Sequence, residues 1–518
     1  MVVSIGLIIL LAGCNNPEEL PNVIIIFADD QGYNDLGCFG SQTLNTPIID
    51  QMAMEGMMFT SFYAACICSP SRAALLTGCY APRAGLPDVH IIGAPFGLDT
   101  SEITIAEVLK EKNYTTAAIG KWHLGEYDMF GPNRQGFDYF YGTRIVNGAA
   151  RWEHFAVPLY RNEEIITTRP DHSQFTQNFT REALAFIEKN QNEPFFLYLA
   201  HLMPHVPIYP SDNFRGQSGA GLYGDAISEI DWSTGQILSK LKELNIDKNT
   251  LIIYTSDNGP WAGMGEQSGS ANPLKGSKLS TWEGGVRVPC IMRWPDKIPA
   301  NTECADLVTT MDILPTLANL TGCSVPADRI IDGKNIWPLM SARPDAKSPH
   351  EVFYYYAGTW LQAVKSGKWK LHLARTVKFQ SIYGECEGWF TTYADTMSHP
   401  QLFNLELDIG ENQNVAHEYP DIVEQLERLA DKAREDIGDY DRQGANSRPM
   451  GYANPDYPIA RDWISSPDQE KSTEAMLKEM RVFQNQRFKL LKDSMDLHSR
   501  EKEELDYYIE NAHIIFQD

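Results

Sequence analysis

Four short runs of β-branched and aromatic residues recur along the first half of the chain, and each stops abruptly at polar residues. Residues 22–27 end at Ala28-Asp29-Asp30, and residues 115–119 end at Gly120-Lys121-Trp122-His123. Residues 195–199 stop shortly before His201 and His205, and residues 250–255 stop at Ser256-Asp257-Asn258-Gly259. Continuous apolar runs of this length fit strands covered on both faces, as in a parallel sheet between helices. Helical spacing fills the intervals. Residues 104–113 open with Thr104 and carry Glu107 three positions on, a capping-box spacing. Residues 180–189 form another helical pattern, and residues 225–244 place Ile227, Ile230, Ile237, Leu238, Leu241 and Leu244 near one face. Alternating strand and helix predicts an α/β fold.

After Asp332-Gly333 the pattern changes. Residues 351–356 and 361–373 alternate as antiparallel strands do, with Gly367 at a turn, and residues 402–405 predict a further short strand. Residues 420–437 read as an amphipathic helix. The expected plan is a large, mixed, mostly parallel sheet sandwiched by helices over 22–345, then a smaller α+β domain with an antiparallel sheet over 346–460. A helical extension follows over 461–518, where Met476, Met480, Phe483 and Leu490 fall near helical spacing and predict packing on the body.

The N-terminus reads as a targeting segment. Residues 2–11 are almost wholly apolar but far too short to span a bilayer, and Leu11-Ala12-Gly13-Cys14 resembles a bacterial lipobox. This predicts a signal peptide over 1–13, acylation of Cys14 and a polar tether over 14–21. The protein is then an exported lipoprotein of a Gram-negative bacterium, periplasmic or anchored at the outer membrane or cell surface. It meets the membrane only through that anchor.

Composition narrows the function. Of 518 residues, 43% are apolar and 22% charged, so a large core can form. With 44 basic and 68 acidic residues the net charge is −24, which opposes nucleic-acid binding but leaves room for a local basic pocket holding an anion. The nine cysteines match no zinc spacing; export permits disulfides, of which Cys304–Cys323 is one conceivable pair.

In open α/β sheets the ligand site lies beyond the carboxyl ends of the strands, where all four polar clusters occur. An isolated acidic pair such as Asp29-Asp30 is usually a turn or cap, about 4 times in 5. Convergence of four clusters changes that weighting. Asp29, Asp30, Asp257 and Asn258 offer only hard oxygen ligands, suited to Ca²⁺ or Mg²⁺ rather than Zn²⁺. Lys121, His123, His205 and a further lysine then face an anion beside that cation.

The string Cys68-Ser-Pro-Ser-Arg72-Ala-Ala-Leu-Leu-Thr-Gly78 opens a helix-forming run, with Pro70 in the first turn, where its missing N–H has no partner to lose. Cys68 therefore lies at a helix N-terminus, which favours anions; taken alone it is a candidate activated thiol. The whole string resembles the signature of type I, formylglycine-dependent sulfatases of the alkaline phosphatase superfamily. Gly120-Lys-Trp-His-Leu-Gly125, Pro204-His205-Val-Pro207, Ser256-Asp-Asn-Gly259 and Trp282-Glu-Gly-Gly-Val-Arg287 occur in that family's order, and the resemblance runs from about Asn22 to at least Asp436.

The resemblance implies that a separate maturation enzyme oxidises Cys68 to formylglycine. One hydroxyl of the aldehyde hydrate attacks sulfur and the other expels the product. It also implies one Ca²⁺ held by Asp29, Asp30, Asp257, Asn258 and residue 68. Arg72 and Lys121 orient and polarise the hydrate, His205 and Lys278 contact the bridging oxygen, and His123 takes the proton of the second hydroxyl. Lys278 is preferred over Lys275 because it lies five residues before Glu283, and His205 over His201 because Val206-Pro207 follows it.

The loops at 86–97, 141–154 and 355–373 contribute His90, Arg144, Trp152, Trp360 and His372 as candidate sugar-pocket residues, with His201 as a further candidate. The expected activity is that of an exo-acting carbohydrate sulfatase on galactose or N-acetylgalactosamine sulfate. The alternatives are a broad arylsulfatase, a phosphatase or phosphodiesterase of the same superfamily, and a non-catalytic lipoprotein that binds sulfated glycans.

Overall fold

The computed structural model describes residues 19–90, 94–147, 157–167, 170–375 and 396–453. The fully buried strand Asn22–Ala28 lies in the middle of an eleven-stranded sheet. It runs parallel to Thr250–Ser256 on one side and to Phe195–Ala200 on the other. Next outward come Thr115–Lys121 and Tyr139–Thr143, also parallel. Beyond Thr250–Ser256, Arg287–Arg293 pairs antiparallel with it and with Met57–Tyr63, which makes the sheet mixed.

Alternation along the central strand accounts for its uninterrupted apolar run. Val23, Ile25 and Phe27 enter one core with residues of the helices Cys68–Thr77, Ile105–Lys110 and Ile313–Thr321. Ile24 and Ile26 enter another with residues of Pro47–Met54, Phe175–Lys189 and Gly221–Glu243. Both faces are buried under helices, so neither carries polar positions. The capping box forms as its spacing predicts: Glu107 N–H donates to Thr104 Oγ1, and Thr104 N–H donates to Glu107. The helix expected over 180–189 begins earlier, at Phe175, where Phe175 and Phe179 stack on one another at 5.3 Å.

The C-terminal part is a four-stranded antiparallel sheet of Phe353–Ala357, Trp360–Ser366, Trp369–His372 and Gln401–Asn404. Gly367 turns between two of these strands with φ 54°. Helix Pro420–Asp436 lays Leu426, Ala430 and Ala433 against Leu361, Val364, Leu371 and Leu402.

The conceivable Cys304–Cys323 disulfide does not form. Cys304 is held in strand register opposite Phe59, Cys323 follows the helix-ending Gly322 near Glu111 and Lys112, and both are free thiols. The signal peptide, Cys14, Trp152 and the extension over 461–518 lie outside the described residues. Among the described residues, no helix is long and apolar enough to cross a membrane.

Candidate active site

Strand register builds the site. Ala28 pairs with Ser256, and Phe27 and Gly120 both pair with Ala200, so Asp29, Asp257 and Lys121 emerge side by side. Gly120 makes this possible: its φ is 111°, and a Cβ there would stand 1.8 Å from the Ala200 carbonyl oxygen. Asp30 adopts φ 64°, a left-handed conformation that costs a non-glycine residue about 1–3 kcal/mol. Asp29 and Asp30 take different lysine partners. Lys121 Nζ meets Asp29 Oδ2 at 2.6 Å, while Asn258 Nδ2 at 2.7 Å and Lys278 Nζ at 2.5 Å both meet Asp30 Oδ1.

Cys68 is the first residue of its helix, and no side chain caps that terminus. Arg72, one turn along, donates through Nη2 to Asp257 Oδ2 at 2.7 Å and through Nη1 to the Lys121 carbonyl and the Tyr198 hydroxyl. Burial raises the Cys68 thiol above its ordinary value, and Lys121 and Lys278 only partly oppose this. An unmodified Cys68 is thus a protonated, weakly nucleophilic thiol near neutrality.

The three carboxylates Asp29, Asp30 and Asp257 face the three cations Arg72, Lys121 and Lys278, all buried. Burial first, then the neighbouring Asp257, pushes Asp29 up to about 7. Burial also works against ionised Asp257, but Arg72, Lys121 and Lys278 outweigh it and hold that carboxylate low. His123 (φ 58°) directs Nε2 at the His90 carbonyl oxygen, 2.8 Å away, and its buried Nδ1 has no hydrogen-bond partner. Burial, then Lys121, keeps this ring well below the usual histidine range and therefore neutral, as a proton acceptor must be. His205 Nδ1 lies 2.6 Å from the Val206 carbonyl, leaving Nε2 3.6 Å from Asp30 Oδ2.

Three oxygens here are buried without hydrogen-bond partners: Asp29 Oδ1, Asp30 Oδ2 and Asn258 Oδ1. Orphaned buried acceptors are costly, and a cluster of hard ones is what a divalent cation requires. Asp257 differs, since its oxygens already accept from the Asp30 N–H and from Arg72. Asp29, Asp30 and His205 bring ligand atoms within 4.8 Å of one another. The donor set therefore fits a divalent ion.

The two paired alternatives separate in space. Lys278 reaches Asp30, whereas Lys275 lies over the Trp282 ring at 3.8 Å and donates to the Glu411 carbonyl. His205 faces Asp30, whereas His201 lies 3.4 Å from Ser233 on the opposite core helix, and burial lowers it to about 4. Most expected pocket residues are committed elsewhere. Arg144 binds Asp128 at 2.5 Å and stacks on Tyr160, Trp360 is 5% exposed and packs on Tyr440, and His372 is buried between Glu411 and Trp282. The structure engages these three side chains in ion pairs and ring packing. His90 is buried beside His123, where its carbonyl meets that ring.

The sequence reading passed over Trp261. This half-buried ring lies 4.7 Å from Lys278 Nζ and 5.7 Å from the His205 ring, and it is more exposed than either. Its position just after Ser-Asp-Asn-Gly-Pro was the available signal.

Comparison with known proteins agrees with this geometry. A family profile described as Sulfatase matches residues 21–323, and one described as the C-terminal region of aryl-sulfatase matches 348–455. Human steryl-sulfatase is 34% identical over 487 residues, covering 75% of this chain and 83% of its own length. Dog N-acetylgalactosamine-6-sulfatase is 35% identical over 454 residues, covering 80% and 86%. A Bacteroides thetaiotaomicron structure, solved in work on the metabolism of multiple glycosaminoglycans, superposes with TM-score 0.72 at 27% identity, covering 80% of this chain and 99% of that one. The chain belongs to the sulfatase family and is a sulfuric ester hydrolase.

Proposed function

We propose that the protein is an exo-acting carbohydrate sulfatase working on galactose or N-acetylgalactosamine sulfate, with formylglycine made from Cys68 and one Ca²⁺. Sulfatase membership implies formylglycine and a divalent metal. The observation that carries the metal reading is the set of orphaned oxygens on Asp29, Asp30 and Asn258 beside the buried Cys68. Asp257 completes the proposed set through its remaining lone pairs. When present, the formylglycine hydrate supplies the attacking hydroxyl, and the cation offsets charge growing on the sulfate oxygens.

The remaining work falls to the chain's own side chains. Lys121 and Arg72, locked onto Asp29 and Asp257, hold positive charge beside residue 68 and orient its substituents. Neutral His123 accepts a proton at Nδ1, since Nε2 is held by the His90 carbonyl. Lys278 and His205 stand together on Asp30 and deliver a proton to the departing alcohol. Burial disfavours the Lys278 ammonium, but Asp30 and the neighbouring anions outweigh it and keep the group protonated. Trp261, beside this pair, offers an aromatic face on which a pyranose leaving group stacks.

The sugar reading is supported by the relatives that act on N-acetylgalactosamine 6-sulfate and by the glycosaminoglycan context of the structural neighbour. Steryl-sulfatase relatives favour an apolar alcohol instead. Sulfate release, measured by ion chromatography on protein co-expressed with a maturation enzyme, separates them. We expect turnover of galactose or N-acetylgalactosamine sulfates well above that of steryl or aryl sulfates, and the reverse order rejects the sugar reading. The lipobox-like Leu11-Ala-Gly-Cys14 supports export and a lipid anchor on Cys14, placing the enzyme where sulfated glycans arrive. A Cys14→Ser variant is expected to lose membrane association on cell fractionation; if it stays membrane-bound, the anchor is wrong.

A further inference from the structure

The loop that carries Lys278 is held by the C-terminal part of the molecule on either side of that lysine, at Lys275 and at Thr281, Trp282 and Glu283. Lys275 donates to the Glu411 carbonyl at 3.1 Å, and Thr281 Oγ1 donates to Gln362 at 2.9 Å. The Trp282 ring lies 4.0 Å from the His372 ring, and the Glu283 N–H donates to Glu411 Oε2 at 2.8 Å. Lys370 Nζ sits between Glu283 Oε1 and Glu411 Oε1, 2.9 Å from each, and His372 Nε2 is 2.8 Å from Glu411 Oε1. Tyr63 and Tyr355 hydroxyls complete the Glu283 carboxylate at 2.7 and 2.9 Å. The loop closes on itself where the Gly284 N–H donates to the Lys275 carbonyl, and a Cβ on Gly285 would stand 2.0 Å from the Ser280 carbonyl oxygen. Between these anchors the Lys278 side chain reaches Asp30.

Lys370 and Glu411 are fully buried, and their ion pairs run to Glu283, to His372 and to each other. A buried ion pair of this kind gives little stability over an apolar replacement, so what it supplies is geometry. Proton delivery to a leaving oxygen tolerates misplacement of only about 0.5 Å.

We propose that Glu411 and Lys370 are positioning residues for Lys278, so that the C-terminal sheet takes part in leaving-group protonation. The proposal rests on the reading of Lys278 as a proton donor. It does not depend on which sugar is the substrate.

A series of aryl sulfates tests it, because poor leaving groups need the proton and good ones do not. On the mature enzyme, the rate ratio of 4-nitrophenyl to 4-methoxyphenyl sulfate is compared among wild type, Lys278→Met, Glu411→Gln and Lys370→Met. Lys278→Met is expected to raise that ratio about 100-fold, within the usual range for a general acid. Glu411→Gln and Lys370→Met are expected to raise it about 10-fold through kcat, with KM within about 3-fold. Thr281→Val deletes the Gln362 bond without changing a charge and is expected to shift the ratio the same way by about 3-fold, which keeps the test decisive if a charge variant fails to fold. Equal losses on both esters in the Glu411 and Thr281 variants, or an effect on KM alone, overturn the proposal. An unchanged ratio in Lys278→Met would instead overturn the proton-donor reading beneath it.

Discussion

Two buried ionic clusters meet the same loop, one at Lys278 and the other at Glu283, and they are finished differently. Around Asp29, Asp30, Asp257 and Asn258, three oxygens are left without partners. Around Glu283 and Glu411 every carboxylate oxygen is engaged, by Tyr63, Tyr355, Lys370, Arg287, His372 or a backbone N–H. Desolvation is paid in both, but only the second is repaid within the protein. The first is left open for a cation and an anion from outside. Satisfaction of the buried acceptors, rather than their number, distinguishes a working site from a structural joint.

The largest break in that contrast comes from residue 68. Cys68→Ala is expected to lower kcat by at least about 10⁴-fold, since a nucleophile is removed. Retention of even a tenth of wild-type turnover would contradict the assignment. Lys370→Met attacks the closed cluster instead and leaves two carboxylates buried beside an apolar group. We expect a loss of about 3–5 kcal/mol in unfolding free energy, measured by denaturant titration. A loss under about 1 kcal/mol would show that the joint is not closed as described.

Proton linkage sharpens the comparison. Burial, then Lys370 in opposition and Glu283 in support, leaves Glu411 raised to about 7, above its ordinary 4.5. A carboxyl raised on folding binds more protons in the native state, so its contribution to stability falls as pH rises from the unfolded value through the folded one. Between pH 5 and 8 the wild-type Tm is therefore expected to fall more than that of Glu411→Gln. Parallel curves would contradict it. In the open cluster the raised carboxyl is Asp29, and a cation must displace its proton. Ca²⁺ affinity measured by calorimetry should weaken by up to about 10-fold per pH unit below 7, with proton release on binding. Affinity independent of pH would argue that Asp29 is not a ligand. The smallest effect is expected at Trp261, where Trp261→Ala should raise KM for a sugar sulfate by about 10-fold and leave kcat nearly unchanged.

The open cluster was legible in the sequence and the closed one was not. Asp29-Asp30, Lys121, Asp257 and Asn258 each follow an unbroken apolar strand, and parallel pairing brings such strand ends together. The rule needs no knowledge of side-chain contacts. Lys370 and Glu411 are read from sequence as a strand lysine and a loop glutamate. Their meeting with Glu283 spans 87 and 128 residues and depends on how the antiparallel sheet docks on the Trp282-Glu283 turn. The partners of the aromatic and basic residues on the C-terminal strands were hidden for the same reason. Trp360 packs on Tyr440 and His372 on Trp282, contacts that no local pattern announces. Of the antiparallel strands, Met57–Tyr63 runs into Ala64-Ala65 with no polar cluster to announce it, and Arg287–Arg293 contains Pro289, which argues against a strand.

The central claim is that the open cluster serves a covalently matured residue 68. Intact mass of the peptide spanning residues 64–72, from protein co-expressed with a formylglycine-generating enzyme, tests it most directly. The account predicts a loss of about 18 Da relative to cysteine, or the corresponding hydrate. An unmodified Cys68 under conditions that mature a control sulfatase would contradict it, leaving a buried, protonated thiol beside a cation site with no nucleophile to serve.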